Sequence, residues 1–349
     1  MVNSLDGPNG FDVSIKQARF TDKAFRNAIL KLIRITKDKM EELTHGYDLS
    51  LFNSLIQSIG SETRLDDKVG VTLNDTLYGI PSSFLSTSEK PILLHYFSKI
   101  EGIRLWSHLD IQTYLEESDH LMELLLVAIH LTGGAPPRST ELVKIALQNS
   151  KQVRRSIRIS DGMVAIVLVY NKTSSFTGSD KTIVRYVPEA VGRLVIQFLI
   201  LIRPVQCAFA YKLNGVRSSN LERYFACYSG ALSTPLLKAS SYVTLFHITT
   251  RDVGIYYIVL SINLSLGLLN YGISSHRHFV KFLFRQEEGE EFEDKVYDSS
   301  LLATQFGHSI GQSSLYGTSN LAFKLNAINN PCLQMSLMWH KYINHTNNQ

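Results

Sequence analysis

Cysteine is scarce in this chain of 349 residues: Cys207, Cys227 and Cys332 are the whole supply, an odd count with no CxxC pair. That argues against a disulfide scaffold or a zinc knuckle, fits a reducing compartment, and leaves the three as core residues. Charge is sparse too, at 19% against 44% hydrophobic residues, an ordinary globular composition that argues against disorder. The opening MVNSLDGPNGFD has neither a basic stretch nor an apolar core, so no secretory signal is expected. From Val253 to Ser275 no residue is charged, a length sufficient to cross a bilayer. Ser261, Asn263, Ser265, Gly267 and Asn270 interrupt it, however, so it reads as a buried helix plus a turn, and no membrane partner is expected. There is no repeat at solenoid periods and no helicase motif. TGSDKT at 177–182 fails as a phosphate loop, because Asp180 stands where a glycine must precede the lysine.

What the chain does have is an uneven charge distribution. The formal net charge is +4, and setting aside the six acidic groups of residues 286–294 leaves the remainder at +10. A basic molecule with one acidic, solvated insertion suits a polyanionic partner. In KQVRRSIR, Lys151, Arg154, Arg155 and Arg158 recur at near-helical spacing, which reads either as a stripe of phosphate contacts or as a solvated face.

The length allows two domains, with a boundary expected between residues 107 and 108. The first segment reads as helical: 20–44, with Thr21 as a possible N-cap, then 49–61 ending at Gly60, a Pro/Ser-rich loop at 78–91, and 94–106. A longer helix is expected at 110–131, stopped by Gly133-Gly134. Pro136-Pro137 then imposes an extended segment, and STELVKIALQN restarts a helix capped by Ser139 or Thr140. Two β-branched runs flanking a Ser/Thr/Gly turn predict a β-hairpin within 161–188. Helix returns over 190–204 and halts at Pro204, and 240–345 reads as several short helices around the acidic loop. The expected class is mainly α with a small β-sheet (α+β).

Five residues stand out by their local strings: Arg138 in TGGAPPRSTEL, Lys172 in YNKTSSFTGSDKTIVRYVP, Arg277 in ISSHRHFVKF, and His308 and Tyr316 in QFGHSIGQSSLYG. Singly, each has an ordinary reading. Arg138 beside Glu141 fits an ion pair at a helix start, Lys172 fits a solvated turn with Lys181 as its rival, and Tyr316 is one of sixteen tyrosines. Their order and separations carry the signal. Over about 95–320 the chain resembles the tyrosine recombinase/integrase superfamily, and within it the recombinase domain of fungal Crypton elements and of the related telomere-linked, RecQ-like helicase proteins.

The resemblance implies a helical, core-binding-like N-terminal domain (1–107) and a tyrosine recombinase catalytic domain (108–349). It implies a nuclear protein of mobile-element origin that works on double-stranded DNA as a tetramer and needs no metal or cofactor. Arg138 and Arg277 would neutralise the non-bridging oxygens of a phosphodiester, a task suited to the planar, permanently charged guanidinium fork. Glu141 would orient Arg138, Lys172 would act as general acid, His308 would contact phosphate or handle a proton, and Tyr316 would be the nucleophile. Two positions depart from the family pattern. Ser274 stands where a His or Lys is usual, with His276 and His278 as possible substitutes at different spacing, and the interval from His308 to Tyr316 is one residue short. Three readings therefore stay open: an active DNA strand transferase, a decayed recombinase that binds DNA without cutting it, and a truncated piece of a helicase-linked protein.

Overall fold

The computed structural model describes residues 2–7, 10–15, 18–45, 47, 86–87, 90–91, 106–151, 153–160, 162–170, 181–230, 234–254, 273, 276–277, 280 and 321–344. Over these the protein is mostly helical with a small three-stranded antiparallel core sheet, an α+β arrangement. The helices expected at 49–61 and 94–106, the buried helix plus turn at 253–275 and the acidic loop at 286–294 lie wholly or mostly outside the described residues.

The chain opens with strands rather than helix. β1 (Val2–Gly7), β2 (Gly10–Ile15) and β3 (Ala18–Thr21) form an antiparallel sheet in that order, with Gly7 opposite Gly10. The cause is legible in GFDVSI, where Phe11, Val13 and Ile15 alternate at the period of a strand. Helix α1 (Asp22–Leu43) follows directly after Thr21. Two short strands, β4 (Ser86–Thr87) and β5 (Lys90–Pro91), pair within the segment read as loop.

Helix α2 (His108–Thr132) is the spine of the fold. Its start is a capping box: the Asp110 N–H donates to Ser107 Oγ at 3.2 Å while the Ser107 N–H donates to Asp110 Oδ2 at 3.1 Å. From Leu121 onward all but Glu123 of its residues are buried. Midway along it, the buried Asp119 carboxylate accepts from the Ser229 and Gly230 N–H groups, the Ser229 hydroxyl and Gln206 Nε2. Gly133 ends the helix, and Gly134 follows at φ +81°, a left-handed conformation that glycine adopts without penalty.

Beyond the prolines the expected long helix shrinks to one turn, α3 (Ser139–Leu142), and Arg138 rather than Ser139 or Thr140 holds the cap position. The following residues turn extended because partners elsewhere take their backbone groups: the Phe225 N–H donates to the Ile145 carbonyl and the Ser156 N–H to the Ala146 carbonyl. The predicted hairpin is a three-stranded meander, β6 (Ile157–Ser160), β7 (Met163–Tyr170) and β8 (Lys181–Tyr186). The register aligns Ile157, Ile166 and Arg185 on one face and Arg158, Ala165 and Tyr186 on the other.

Pro204 does not end the next helix. α4 (Glu189–Gln197) passes through a π-helical turn (Phe198–Ile202) into α5 (Arg203–Asn214), with the proline in the first turn of α5. The wider π turn accommodates the missing N–H and the ring, which would clash in a regular helix. Glu189–Asn214 is long and apolar enough to cross a membrane, but 78% of its apolar window is buried, as in a core helix. α6 (Ser219–Arg223), α7 (Ala239–Asp252) and α8 (Leu321–Asn344) complete the described elements.

One hydrophobic cluster spans several of these elements. Phe25 and Leu32 of α1 share it with Leu125 of α2, Ile166 of β7, Leu201 of the π turn, Phe246 of α7 and Trp339 of α8. Helix α1, on the N-terminal side of the expected 107/108 boundary, thus contributes to the same core as the residues after it. Leu125→Ala, which empties a fully buried position, should lower the unfolding free energy by about 2–5 kcal/mol, whereas Leu109→Ala, 72% exposed on the same helix, should stay within about 0.5 kcal/mol. Urea denaturation of both variants measures the difference.

Candidate active site

The C-terminal end of α2 lies inside the protein, and its last carbonyls have no intrahelical donor. Buried backbone acceptors need partners, and side chains from three other segments supply them. His276 hydrogen-bonds the His130 backbone. Trp339 Nε1–H donates to the Leu131 carbonyl at 2.8 Å. His340 hydrogen-bonds the Thr132 backbone and lies 3.0 Å from the Tyr186 carbonyl. Arg185 Nε–H donates to the Ala135 carbonyl at 2.6 Å. Helix α8 is drawn close as well: Ser336 Oγ accepts the Tyr186 N–H at 3.1 Å, and a Cβ at Gly134 would sit 3.4 Å from that same oxygen.

On this platform stand two of the residues singled out from the sequence. Arg138 follows the buried Pro136 and Pro137 in an extended conformation (φ −77°, ψ 153°) and is half-buried. Its backbone N–H donates to Glu141 Oε2 at 3.1 Å, so Glu141 reaches back across the helix start to the Arg138 main chain. Arg277 is helical and half-buried, next to the fully buried His276. The Arg277 guanidinium acts electrostatically on both His130 and Arg185, and Arg185 in turn feels Glu141. The Arg138 turn and the Arg277 segment, 139 positions apart in the sequence, therefore share one neighbourhood at the end of α2.

Lys172, Ser274, His308 and Tyr316 lie outside the described residues, as does His278. Lys181 opens β8 with its backbone opposite Tyr170. The basic stripe at 151–158 is not a helical face. The segment enters β6 in extended form, with the Arg155 N–H bonded to Asn149 Oδ1 at 2.9 Å and Arg158 opposite Ala165. Lys151 and Arg154 are exposed, whereas Arg155 is 1% and Arg158 5% exposed, because both sheet faces are covered. Only the first two reach solvent as phosphate contacts would require.

Arg185, His130 and Tyr242 went unnoticed in the sequence. The signal for Arg185 was a lone cation among apolar neighbours, since all of Ile183–Tyr186 is buried. Desolvation pushes its pKa down to about 10, with Glu141 opposing and Arg277 reinforcing the shift. It remains charged at neutral pH. His130 Nδ1 lies 2.8 Å from the Tyr242 hydroxyl, and the two rings stack with centroids 5.7 Å apart. Burial holds the His130 imidazole well below its usual range, and the cationic Arg185 and Arg277 add to that. Burial likewise pushes His276 down to about 3 and His340 down to about 4. Among the described residues, no three His, Cys, Asp or Glu side chains gather as a metal-binding group.

No protein-family model matches this chain, and no solved structure matches it.

The neutral histidines set a direction for acid sensitivity. Their folded pKa values lie below the unfolded value near 6.5, so at lower pH the unfolded chain binds protons that the folded one refuses. Stability is complete above about pH 6.5 and falls as pH drops toward 4, by about 1.4 kcal/mol per pH unit for each such histidine. Thermal melts from pH 7 to 5 should show this slope, and His340→Gln should make it shallower. A melting temperature unchanged across that range would contradict the buried, neutral assignment.

Proposed function

We propose that this chain is a DNA-binding, tyrosine recombinase-like protein of mobile-element origin that cuts and rejoins duplex DNA through a covalent phosphotyrosine. In this reading the Tyr316 oxygen attacks the phosphorus, the bond to the 5′ oxygen breaks, and Lys172 protonates that leaving oxygen. Rejoining runs the same steps backwards. Arg138 and Arg277 hold the non-bridging oxygens as charge builds on them, and His308 assists at phosphate. The helical N-terminal part and the catalytic part would clasp DNA between them, and a nuclear tetramer on two sites would carry out strand exchange.

The observation that supports the reading best is that the Arg138 turn, with Glu141 reaching back to it, and the Arg277 segment lie against the same buried helix end. Two guanidinium groups from distant parts of the sequence, brought to one place, could share the non-bridging oxygens of one phosphodiester. Ser274 and the short interval from His308 to Tyr316 favour a second reading, a recombinase relic that binds DNA and does not cut it.

A nicked suicide substrate, which loses the strand needed for rejoining, separates the two. The strand transferase accumulates a covalent protein–DNA adduct, which Tyr316→Phe abolishes with DNA affinity nearly unchanged. Arg277→Lys should slow adduct formation by about 100- to 1,000-fold, because a point charge cannot replace the fork. No adduct from the unmodified protein selects the relic, and an adduct from Tyr316→Phe reassigns the nucleophile. Binding gives an independent check. Duplex affinity should fall steeply with salt, and Lys151→Ala and Arg154→Ala should each reduce the slope of log K against log salt by about 1.

A further inference from the structure

We infer that Arg185 is a positioning residue for the strand-transfer site, fastening the turn that carries Arg138 from inside the protein. The inference rests on the function proposed above. At 1% exposure Arg185 cannot touch DNA, so any part it plays passes through other residues. Its Nε–H holds the Ala135 carbonyl at 2.6 Å, and its Cβ lies 3.5 Å from where a side chain on Gly133 would begin. Between Ala135 and Arg138 stand only Pro136 and Pro137, both buried and each restricted in φ by its ring. A stiff two-residue link transmits a displacement of Ala135 to Arg138 with little loss.

A neutral donor could satisfy one carbonyl, and burying a cation is costly. What the cation adds is its interaction with Glu141, the same carboxylate that accepts the Arg138 N–H. Arg185 therefore acts on both groups that locate Arg138, the turn before it and the carboxylate after it, and it also repels Arg277. Arg203 provides an internal comparison. It is also buried, at 5% exposure, donates to the Phe225 carbonyl at 2.6 Å and lies over the Phe198 ring, with no hydrogen bond to the Arg138 turn among the described residues.

The test compares Arg185→Met, Arg185→Lys and Arg203→Met in the full chain, each below its melting temperature. Hydrogen exchange read by mass spectrometry follows the backbone of residues 133–142, and a nicked duplex reports adduct rate at saturating DNA alongside DNA affinity. Arg185→Met should raise exchange in 133–142 by about tenfold or more, while Arg203→Met leaves that segment protected. Its adduct rate at saturating DNA should fall on the order of 100-fold with affinity nearly unchanged, since a displacement of about 1 Å has that effect. Arg185→Lys, which keeps the charge and one donor, should recover part of both. A folded Arg185→Met with the unmodified protein's rate, or exchange that rises equally in both Met variants, overturns the inference. If Arg185→Met does not fold, Arg185→Lys decides: a slower rate at unchanged affinity supports the role, and an unchanged rate refutes it. If the unmodified protein forms no adduct, the strand-transferase reading fails by itself, and the exchange data still decide whether Arg185 holds the turn.

Discussion

Helix α2 ends where water cannot reach its carbonyls, and satisfying them recruits the elements around it. The donors come from the segment holding His276 and from α8, far apart in sequence, and Arg185 of β8 holds the Ala135 carbonyl just beyond the helix. An unpaired buried carbonyl costs about 1–3 kcal/mol, so each donor has reason to stay where it is. The Arg138 turn lies directly downstream of these bonds, and Arg277 neighbours one of the donors. The arrangement that brings the two arginines into one neighbourhood is thus the same one that lets a hydrophobic helix terminate in the core.

The electrostatics of the region follow from that burial. A helix C-terminus carries partial negative charge, which favours nearby cations. His130, His276 and His340 nevertheless stay neutral, because desolvation outweighs any gain from protonation. Neutral imidazoles can then pack as aromatic rings: His276 lies 5.8 Å from His130 and 6.2 Å from Trp339 between ring centroids. Positive charge in this region is thus carried by the arginines, with Arg185 fully buried and Arg277 half-buried.

Much of this fold was legible in the sequence where one signal dominated. The apolar face of Leu121, Leu125 and Ile129 and the Gly133-Gly134 stop mark α2, whose start at His108, set by the Ser107–Asp110 capping box, lies two residues before the expected one. The β-branched runs around 161–188 announce strands for the same reason. The misreadings fall where tertiary contacts override local preference. STELVKIALQN has a helical period but becomes a single turn, since Ile145 and Ala146 pair with Phe225 and Ser156. Arg155 and Arg158 look like a basic stripe until the covered sheet buries them, and Pro204 looks like a stop until a π turn absorbs it. Of the candidate site, Arg138, Glu141 and Arg277 could be found from their strings. Arg185 left one mark, a lone cation among apolar neighbours, but its acceptor, the Ala135 carbonyl, is far away in sequence, and so are His130 and Tyr242 from each other.

The proposed strand-transfer site requires Arg138 and Arg277 to hold one phosphate together. A double-mutant cycle on duplex DNA affinity at fixed salt tests it, using Arg138→Ala, Arg277→Ala and the pair together. Residues that grip the same phosphate are coupled, so the double variant should depart from the sum of the single effects by about 1 kcal/mol or more. Losses that add to within about 0.3–0.5 kcal/mol would mean the arginines act independently, and would contradict the shared site.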